Sequence, residues 1–341
     1  MKKTLAVAAV LAAFAGSAAA DVTVYGKFDM GLGMAQVDGD TKVQMKSGGS
    51  AASRLGFKGS EKIGDMTVGF TYETAFTADD GNTNVKNVAD DKYDRMWTRQ
   101  ASLNVKGAYG EVAVGYYGAL DAATGSWDYV GGLSAMGTGY FDIGGQDKVF
   151  KTRARMENSF TYVAPTFAGL TVAAQAASES VKDAEFTDDA DMLYGLGAKY
   201  AAGDFGAGLV VTKAQAKNGG DEDINVTAGV NYNFGVAKVF LAANYYEDGV
   251  AAYKGDSFGV VASAVVPVLG GELQLQAGYG EKDMKDVESE TTFAGAFSKY
   301  PLSKQTYVYG AAGWDQVETL RGETVGTVDA YRGIVGLCHN F

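Results

Sequence analysis

Acidic side chains dominate the titratable groups of this sequence, whereas the residue types used most in catalysis are scarce. His339 is the single histidine and Cys338 the single cysteine, and both lie at the end of the chain. Nucleophilic catalysis of the Ser-His-Asp or Cys-His kind needs a histidine base beside its nucleophile. A lone histidine at the C-terminus does not supply one, so we predict that the protein is not an enzyme.

Paired aspartates form a second candidate site, because carboxylate oxygens bind Ca²⁺ and Mg²⁺. The pairs are Asp79-Asp80, Asp90-Asp91 and Asp188-Asp189. Such runs are more often solvated loop surfaces. We therefore predict no cofactor and keep Ca²⁺ or Mg²⁺ at these acidic loops, bridging loops or lipopolysaccharide phosphates, as the alternative.

The third candidate is an aperiodic, glycine-rich stretch from Gly118 to Val149. Its acidic residues are Asp121, Asp128, Asp142 and Asp147. Compact domains rarely contain a loop of this length unless it is functional or disordered. Residues on both sides of it alternate between apolar and polar, so the elements that position the loop are strands.

About sixteen segments show this period-two pattern, which is typical of strands with one apolar and one polar face. Each has the length of about ten residues that a tilted strand needs to cross a bilayer. They begin near Val22, Lys46, Met66, Tyr93, Glu111, Thr152, Leu170, Met192, Phe205, Asp223, Ala237, Ser257, Glu272, Thr291, Lys304 and Val328.

The connections between these segments alternate in length, with short turns at one end and longer acidic loops, such as Lys282 to Glu290, at the other. This alternation predicts an all-β, transmembrane antiparallel barrel over residues 21–341 with both termini at the periplasmic end. The loop at 118–149 is then the third long loop. A soluble sandwich is the alternative, although about 320 residues would normally form two domains.

The first twenty residues have the features of a secretory signal peptide, with Lys2 and Lys3, an apolar core and Ala18-Ala19-Ala20 as cleavage site. Without Lys2 and Lys3 the formal net charge moves from −12 to −14. Nucleic acid requires clustered basic residues, so we exclude it as a partner.

Side-chain alternation also assigns the inner wall of the barrel. With Leu55, Phe57, Phe160 and Tyr162 facing lipid, the basic residues that face inward are Lys27, Arg54, Lys58, Arg153 and Arg155. The same rule places Glu73, Gln100 and Glu157 in the lumen. It places Arg99 on the outer face.

Several stretches together resemble the Gram-negative general porins, in particular the beta-proteobacterial trimeric type with 16 strands. They include DVTVYGKFDMGLG at Asp21, SRLGFKGSEKIGD at Ser53, RQASLNVKGAYGEVAVG at Arg99, RARMENSFTYVAPTFAGL at Arg153, VNYNFGVAKVF at Val230 and the ending VGLCHNF. The resemblance covers nearly all of the mature chain. SRLGFKGSE and the ending are specific only in combination.

This resemblance implies a homotrimer of water-filled channels in the outer membrane, for passive diffusion of small polar solutes and ions. It implies that the third long loop folds inward as an acidic constriction opposite basic wall residues, with Arg54 and Arg155 at positions of constriction arginines. Phe341 matches the terminal aromatic that the barrel-assembly machinery recognises. Tyr116 departs from the pattern, since family members usually carry arginine there.

Acidic outer loops raise the local cation concentration, and the basic wall is thinner than usual, so we predict weak cation selectivity. Acids on the loop and bases on the facing wall would create an electric field across the opening. Small polar solutes pass such a field more easily than apolar ones. Two alternatives remain open: a substrate-specific outer-membrane channel, or a surface adhesin or structural barrel. Inward Tyr25 and Tyr117 are too few to establish an aromatic ladder for sugars.

Overall fold

The computed structural model describes residues 22–83, 96–123, 125–137, 140–153, 155–179, 191–215, 222–249, 254–323 and 325–341. The predicted leader at 1–20 lies outside these ranges. The strands are β1 (Thr23–Val37), β2 (Asp40–Ser47), β3 (Arg54–Ile63), β4 (Met66–Ala75), β5 (Gln100–Gly107), β6 (Gly110–Gly118), β7 (Arg155–Val163), β8 (Leu170–Glu179), β9 (Asp191–Ala202), β10 (Phe205–Gln215), β11 (Glu222–Asn233), β12 (Lys238–Asp248), β13 (Gly255–Val268), β14 (Gly271–Met284), β15 (Val287–Pro301), β16 (Thr306–Arg321) and β17 (Gly326–Asn340).

Every strand pairs antiparallel with its neighbours, and the first and last strands close the sheet. β1 pairs with β17 from Lys27 opposite Asn340 to Val37 opposite Ala330. Gly26 and Phe341 exchange two backbone hydrogen bonds of 3.0 and 3.1 Å. Closure leaves no open edge, which a sheet surrounded by lipid requires.

β2 and β3 share one position in the barrel, because both pair with β1 along different parts of its length. The six residues of 48–53 separate them. The closed barrel therefore has sixteen strand positions, as predicted. The start predicted near Lys46 falls in the second half of β2, which begins earlier because Asp38 and Gly39 adopt φ of 47° and 87° in a tight hairpin turn.

The period-two pattern produces the expected two faces. On β1, Val24 and Phe28 are exposed on the outside, whereas Asp29 is buried on the inner face; Leu103 of β5 and Val335 of β17 are also exposed on the outside. None of the helices in the described ranges is long and apolar enough to cross a membrane.

The loop predicted from Lys282 to Glu290 is wrong. β14 continues to Met284 and β15 begins at Val287, with Met284 paired to Val287, so only two residues form the turn. Charged residues that alternate with small ones continue the ladder beyond the apolar band, and their polarity alone does not end a strand.

Candidate functional site

The described residues between Gly118 and Val149, which are 118–123, 125–137 and 140–149, lie inside the barrel, and this confirms the predicted inward fold of the third long loop. Its amides reach the inner wall at β13 and β14: Ala135 donates to Ser263 Oγ at 2.9 Å and Met136 to Gln276 Oε1 at 3.1 Å. The Gln276 amide in turn donates to the carbonyl of Gly144 at 2.5 Å. One wall glutamine therefore joins the two arms of the loop.

Aromatic contacts also fix this loop. Tyr140 stacks on Phe297 of β15 with ring centroids 3.8 Å apart, and its hydroxyl donates to Gln274 Oε1 at 3.1 Å. Nearer the start of the loop, Trp127 packs against Tyr117 at 4.5 Å. Both contacts bury large rings between loop and wall.

The wall beneath the loop is rich in glycine, which allows the close approach. A Cβ added at Gly295 would lie 3.0 Å from the Cα of Gly144, and one added at Gly280 would lie 2.7 Å from Val149. Similar close contacts occur at Gly197, Gly208, Gly229, Gly259 and Gly313. These glycines form a shallow seat that keeps the loop against the wall from β9 to β16.

Asp121 lies at the root of the loop and is almost fully buried, at 1% exposure. It accepts hydrogen bonds of 2.7 Å from Thr212 and from Asn225, and Arg153 Nε lies 3.5 Å away. Arg153 also pairs with Asp223. Burial raises the pKa of Asp121, and the charge of Arg153 opposes that rise. Asp121 and Arg153 therefore fasten the loop to β10 and β11.

Asp128 organises the turn that follows. Its carboxylate accepts from the amides of Val130 and Gly131 at 2.7 and 3.0 Å, while Lys199 donates to its carbonyl at 2.5 Å. Burial raises the pKa of Asp128, and these amides and Lys199 oppose the rise.

Asp142 and Asp147 are exposed within the barrel, on the returning arm of the loop. Partial loss of hydration raises the pKa of Asp147 to about 6, with the charge of Asp142 adding to the rise and Lys148 opposing it. Lys148 Nζ lies 3.1 Å from Asp315, which also pairs with Arg332 of β17. These two aspartates are the loop acids least engaged by the wall.

The basic wall is built on β1, β3 and β4. Register places Lys27 opposite Arg54, and Tyr25 opposite Gly56, which pairs with Glu73. Glu73 accepts from the Tyr25 hydroxyl at 3.0 Å and lies 3.7 Å from Arg54 Nη1. Glu73 is therefore a carboxylate on the basic wall, in contact with Tyr25 and close to Arg54.

Lys58 lies two residues beyond Gly56 along β3. Its ammonium is 5.1 Å from the centroid of the Tyr25 ring.

Arg99 joins this wall, although alternation placed it on the outer face. Its Nε lies 2.5 Å from Glu73 Oε1, and its side chain is 11% exposed. Arg99 immediately precedes β5, so the strand rule does not apply to it. Gln100, the first residue of β5, is buried inside and donates to Ser102 at 2.8 Å.

β7 departs from regular alternation near its start. Asn158 has a φ of 45°, and the pairing of β6 with β7 shifts register between Gly115 and Tyr117. Met156 is therefore the buried side chain, packed with Ala177 and Leu193.

Alternation predicts that Arg155 and Glu157 face the lumen, but it cannot be applied across this bulge. Glu157 is half-buried. Arg155 lies within electrostatic range of Arg99, Glu73 and Arg54. Arg54 and Arg99 thus contact Glu73, and Arg155 belongs to the same charged group without a direct contact to that carboxylate.

Within the described ranges, no group of three histidine, cysteine or acidic residues is arranged to hold a metal ion. Asp80 accepts from Thr77 and from the amide of Asn82. The pairs at Asp90-Asp91 and Asp188-Asp189 lie outside the described residues. His339 contacts Thr306 at 2.9 Å, and Cys338 is buried.

A closed barrel of sixteen strand positions, with a long loop seated inside and arginines grouped on its inner wall, defines a membrane channel of the porin class. The family model described as Gram-negative porin matches residues 6–320, and the chain belongs to that family. It is a non-enzymatic channel of the Gram-negative outer membrane through which solutes diffuse.

Curated relatives cover most of the chain. Outer membrane porin protein 32 of Delftia acidovorans is 30% identical over 91% of this chain and 88% of its own length. An outer membrane porin protein of Bordetella pertussis is 28% identical over 76% of each chain. The major outer membrane protein P.IB of Neisseria meningitidis is 28% identical over the full length of both.

Solved structures share the fold. The anion-selective porin from Comamonas acidovorans superposes with a TM-score of 0.70 at 24% identity, covering 95% of this chain and 100% of that one. OmpF of Salmonella typhi in complex with daunomycin has a TM-score of 0.68 at 17% identity, covering 94% of this chain and 97% of that one. An OmpT of Vibrio cholerae, described as a trimer form, has a TM-score of 0.66 at 14% identity, covering 95% and 100%.

Proposed function

We propose that this porin is a general diffusion channel whose constriction prefers small anions. The observation that carries the proposal is that two arginines, Arg54 and Arg99, lie 3.7 and 2.5 Å from the one carboxylate of Glu73, with Arg155 within electrostatic range of all three. Lys27 and Lys58 extend the same positive surface. The constriction would lie between this wall and the third long loop.

Two acids inside the barrel are neutralised by other basic residues, whereas Asp142 and Asp147 of the loop remain exposed. Asp121 is paired with Arg153, and Asp315 is shared by Lys148 and Arg332. At about 0.15 M salt the Debye length is about 8 Å, so only charges near the permeating ion act on it strongly. The local positive charge therefore outweighs the acidity of the chain as a whole.

The proposed anion preference is opposite to the weak cation selectivity predicted from the sequence. The position of Arg99 is the reason for the difference. Arg99 supplies to the lumen the positive charge that is missing at Tyr116. The name of the Comamonas acidovorans relative, an anion-selective porin, agrees with the proposal.

A general channel is favoured over a sugar-specific one. Of the two tyrosines predicted to face inward, Tyr117 is fully buried and donates to Ala113 and Thr161, so it is not presented to solutes. Tyr25 is engaged by Glu73 and Lys58.

The test is conductance and reversal potential of the purified protein in planar bilayers under a KCl gradient. Chloride preference without block by added sugars or dicarboxylates supports the proposal. Potassium preference contradicts it, block by one solute indicates a specific channel, and an absence of conductance indicates an adhesin or structural barrel.

We extend the proposal to the partners. A homotrimer would give three equal closing steps per insertion, and cross-linking would give a trimeric band. Lipopolysaccharide would contact the acidic outer loops, with divalent ions between the two. Chelation with EDTA should then loosen that association.

Phe341 would act as the assembly signal. It pairs with Gly26, a Cβ added there would lie 2.3 Å from its ring, and 48% of the residue stays exposed. Phe341→Ala should lower the amount of folded porin in the outer membrane.

A further inference from the structure

A second inward segment lies inside the barrel, formed by the six residues from Gly48 to Ser53 between β2 and β3. It stands opposite Asp29 of β1, a carboxylate with no exposed surface. Burial of a charge without partners costs free energy, so the hydrogen-bond partners of Asp29 show which part of the chain it stabilises.

Asp29 organises this segment through both carboxylate oxygens. Oδ2 accepts from the amides of Ser50 and Ala51 at 3.1 and 3.0 Å, and Oδ1 accepts from the Tyr309 hydroxyl at 2.7 Å. The Ser53 hydroxyl also donates to the backbone carbonyl of Asp29 at 3.2 Å. Charge-assisted hydrogen bonds such as those to the carboxylate are stronger than neutral ones.

The far side of the segment packs on β16 and β17. A Cβ added at Gly49 would lie 2.4 Å from both Ile334 Cδ1 and the Tyr309 hydroxyl oxygen. The hydroxyls of Ser50 and Tyr307 are 2.7 Å apart. The segment is therefore held between β1 and the last two strands.

Arg54 follows the segment directly and takes its orientation from it. Its Nε donates to the carbonyl of Ala52 at 3.0 Å, while Nη1 remains 3.7 Å from Glu73. Arg54 thus contacts Glu73 loosely, in contrast to Arg99 at 2.5 Å. The carbonyl of Ala52 restrains Arg54 from closing fully onto Glu73.

We propose that Asp29 is a positioning residue for ion selectivity, which holds the segment 48–53 so that Arg54 presents its charge to the lumen. The inference rests on the proposed anion preference. Without Asp29 the segment relaxes, Arg54 closes onto Glu73, and the constriction presents less positive charge.

The substitution Asp29→Asn separates this role from a plain charge effect, because the two have opposite signs. Removal of a negative charge inside the barrel would by itself raise the preference for chloride. Loss of the positioning role lowers it, by about threefold if Glu73 cancels half of the charge of Arg54. Tyr309→Phe removes one donor to Asp29 without any change of charge and should shift selectivity in the same direction.

The experiment measures reversal potentials of D29N, Y309F, R54Q and the two double variants with R54Q, in the full-length porin. Asp329→Asn is the matched control, since Asp329 accepts from Trp314 Nε1 at 3.0 Å on the outer face of β17. A lower chloride preference in D29N or Y309F that disappears in the R54Q background supports the inference. Heat-modifiability on gels verifies that each variant folds. If D29N does not fold, the selectivity of Y309F tests the inference instead.

A higher chloride preference in D29N overturns the inference, as does an equal shift with and without Arg54. If R54Q alone leaves selectivity unchanged, the proposed anion preference at this wall fails instead. The two failures are therefore distinguishable.

Discussion

Arg99→Gln should reduce the chloride preference of the channel more than substitution of a charged residue at the exposed end of a strand, such as Arg321. Arg99 is ion-paired to Glu73 at 2.5 Å, so the variant removes one positive charge and also exposes the carboxylate it neutralised. Glutamine keeps a hydrogen-bond donor of similar length, which limits structural change.

The size of the effect follows from Coulomb's law. A unit charge acts on an ion about 4 Å away with about 1 kcal/mol in water. Screening over about 8 Å at physiological salt leaves about 0.6 kcal/mol. This energy changes the local concentration of each ion about threefold, in opposite directions for anion and cation. The permeability ratio should therefore fall by about tenfold.

Salt dependence provides the internal check. At 1 M salt the Debye length is about 3 Å, so the same charge contributes about 0.3 kcal/mol and the ratio should change only about threefold. The assay is the reversal potential under a KCl gradient, at low and at high mean concentration.

Arg321→Gln is the matched control. Arg321 is also ion-paired, to Asp283 at 2.6 Å, but it is exposed at the end of β16. An equal shift in both variants, or no shift in R99Q, would refute the reasoning from the arginine group.

Three further outcomes are expected. Gln276→Leu leaves the Gly144 carbonyl and the Met136 amide without their partner, which should destabilise the loop by about 1–3 kcal/mol for each group and increase open-channel noise. Gly295→Val places its side chain against Gly144, so the loop must move into the lumen and single-channel conductance should fall. Asp147, with its pKa raised to about 6, is charged at pH 7.5 and protonated at pH 5, so chloride preference should rise as pH falls through 6.

Two of these outcomes have a control variant, and the third has a result that would contradict it. Gly333 lies on the outer face of β17, where an added Cβ would have its nearest neighbour at 3.7 Å, so Gly333→Val should leave conductance unchanged. Asp147→Asn should remove the change in selectivity between pH 7.5 and 5. A normal noise level in Q276L would show that the aromatic contacts of Tyr140 suffice to hold the loop.

The regular part of the barrel could be predicted because its signal is local. Period-two alternation predicted inward positions for Lys27, Arg54 and Glu73; in the sheet, Lys27 pairs with Arg54 and Glu73 with Gly56. The third long loop could be recognised by its length and position alone.

Contacts between distant parts of the chain could not be predicted. Gln276 and Gly144 are 132 residues apart, and no local pattern links them. The strand predicted to start near Lys46 runs through the segment 48–53, but the amides of Ser50 and Ala51 bond to Asp29 instead of continuing the ladder. Register and closure of the whole sheet determine such contacts.

The arginines around Glu73 share a feature that alternation cannot represent, since each lies beside a break in a strand. Arg54 follows the inward segment, Arg99 precedes the first paired residue of β5, and Arg155 lies three residues before the left-handed Asn158. Bulges and strand ends are where a barrel can re-aim side chains. A regular ladder would place these charges at fixed spacings on separate strands. The breaks bring Arg54 and Arg99 to one carboxylate with Arg155 in the same group, and in this porin they create the proposed selective site.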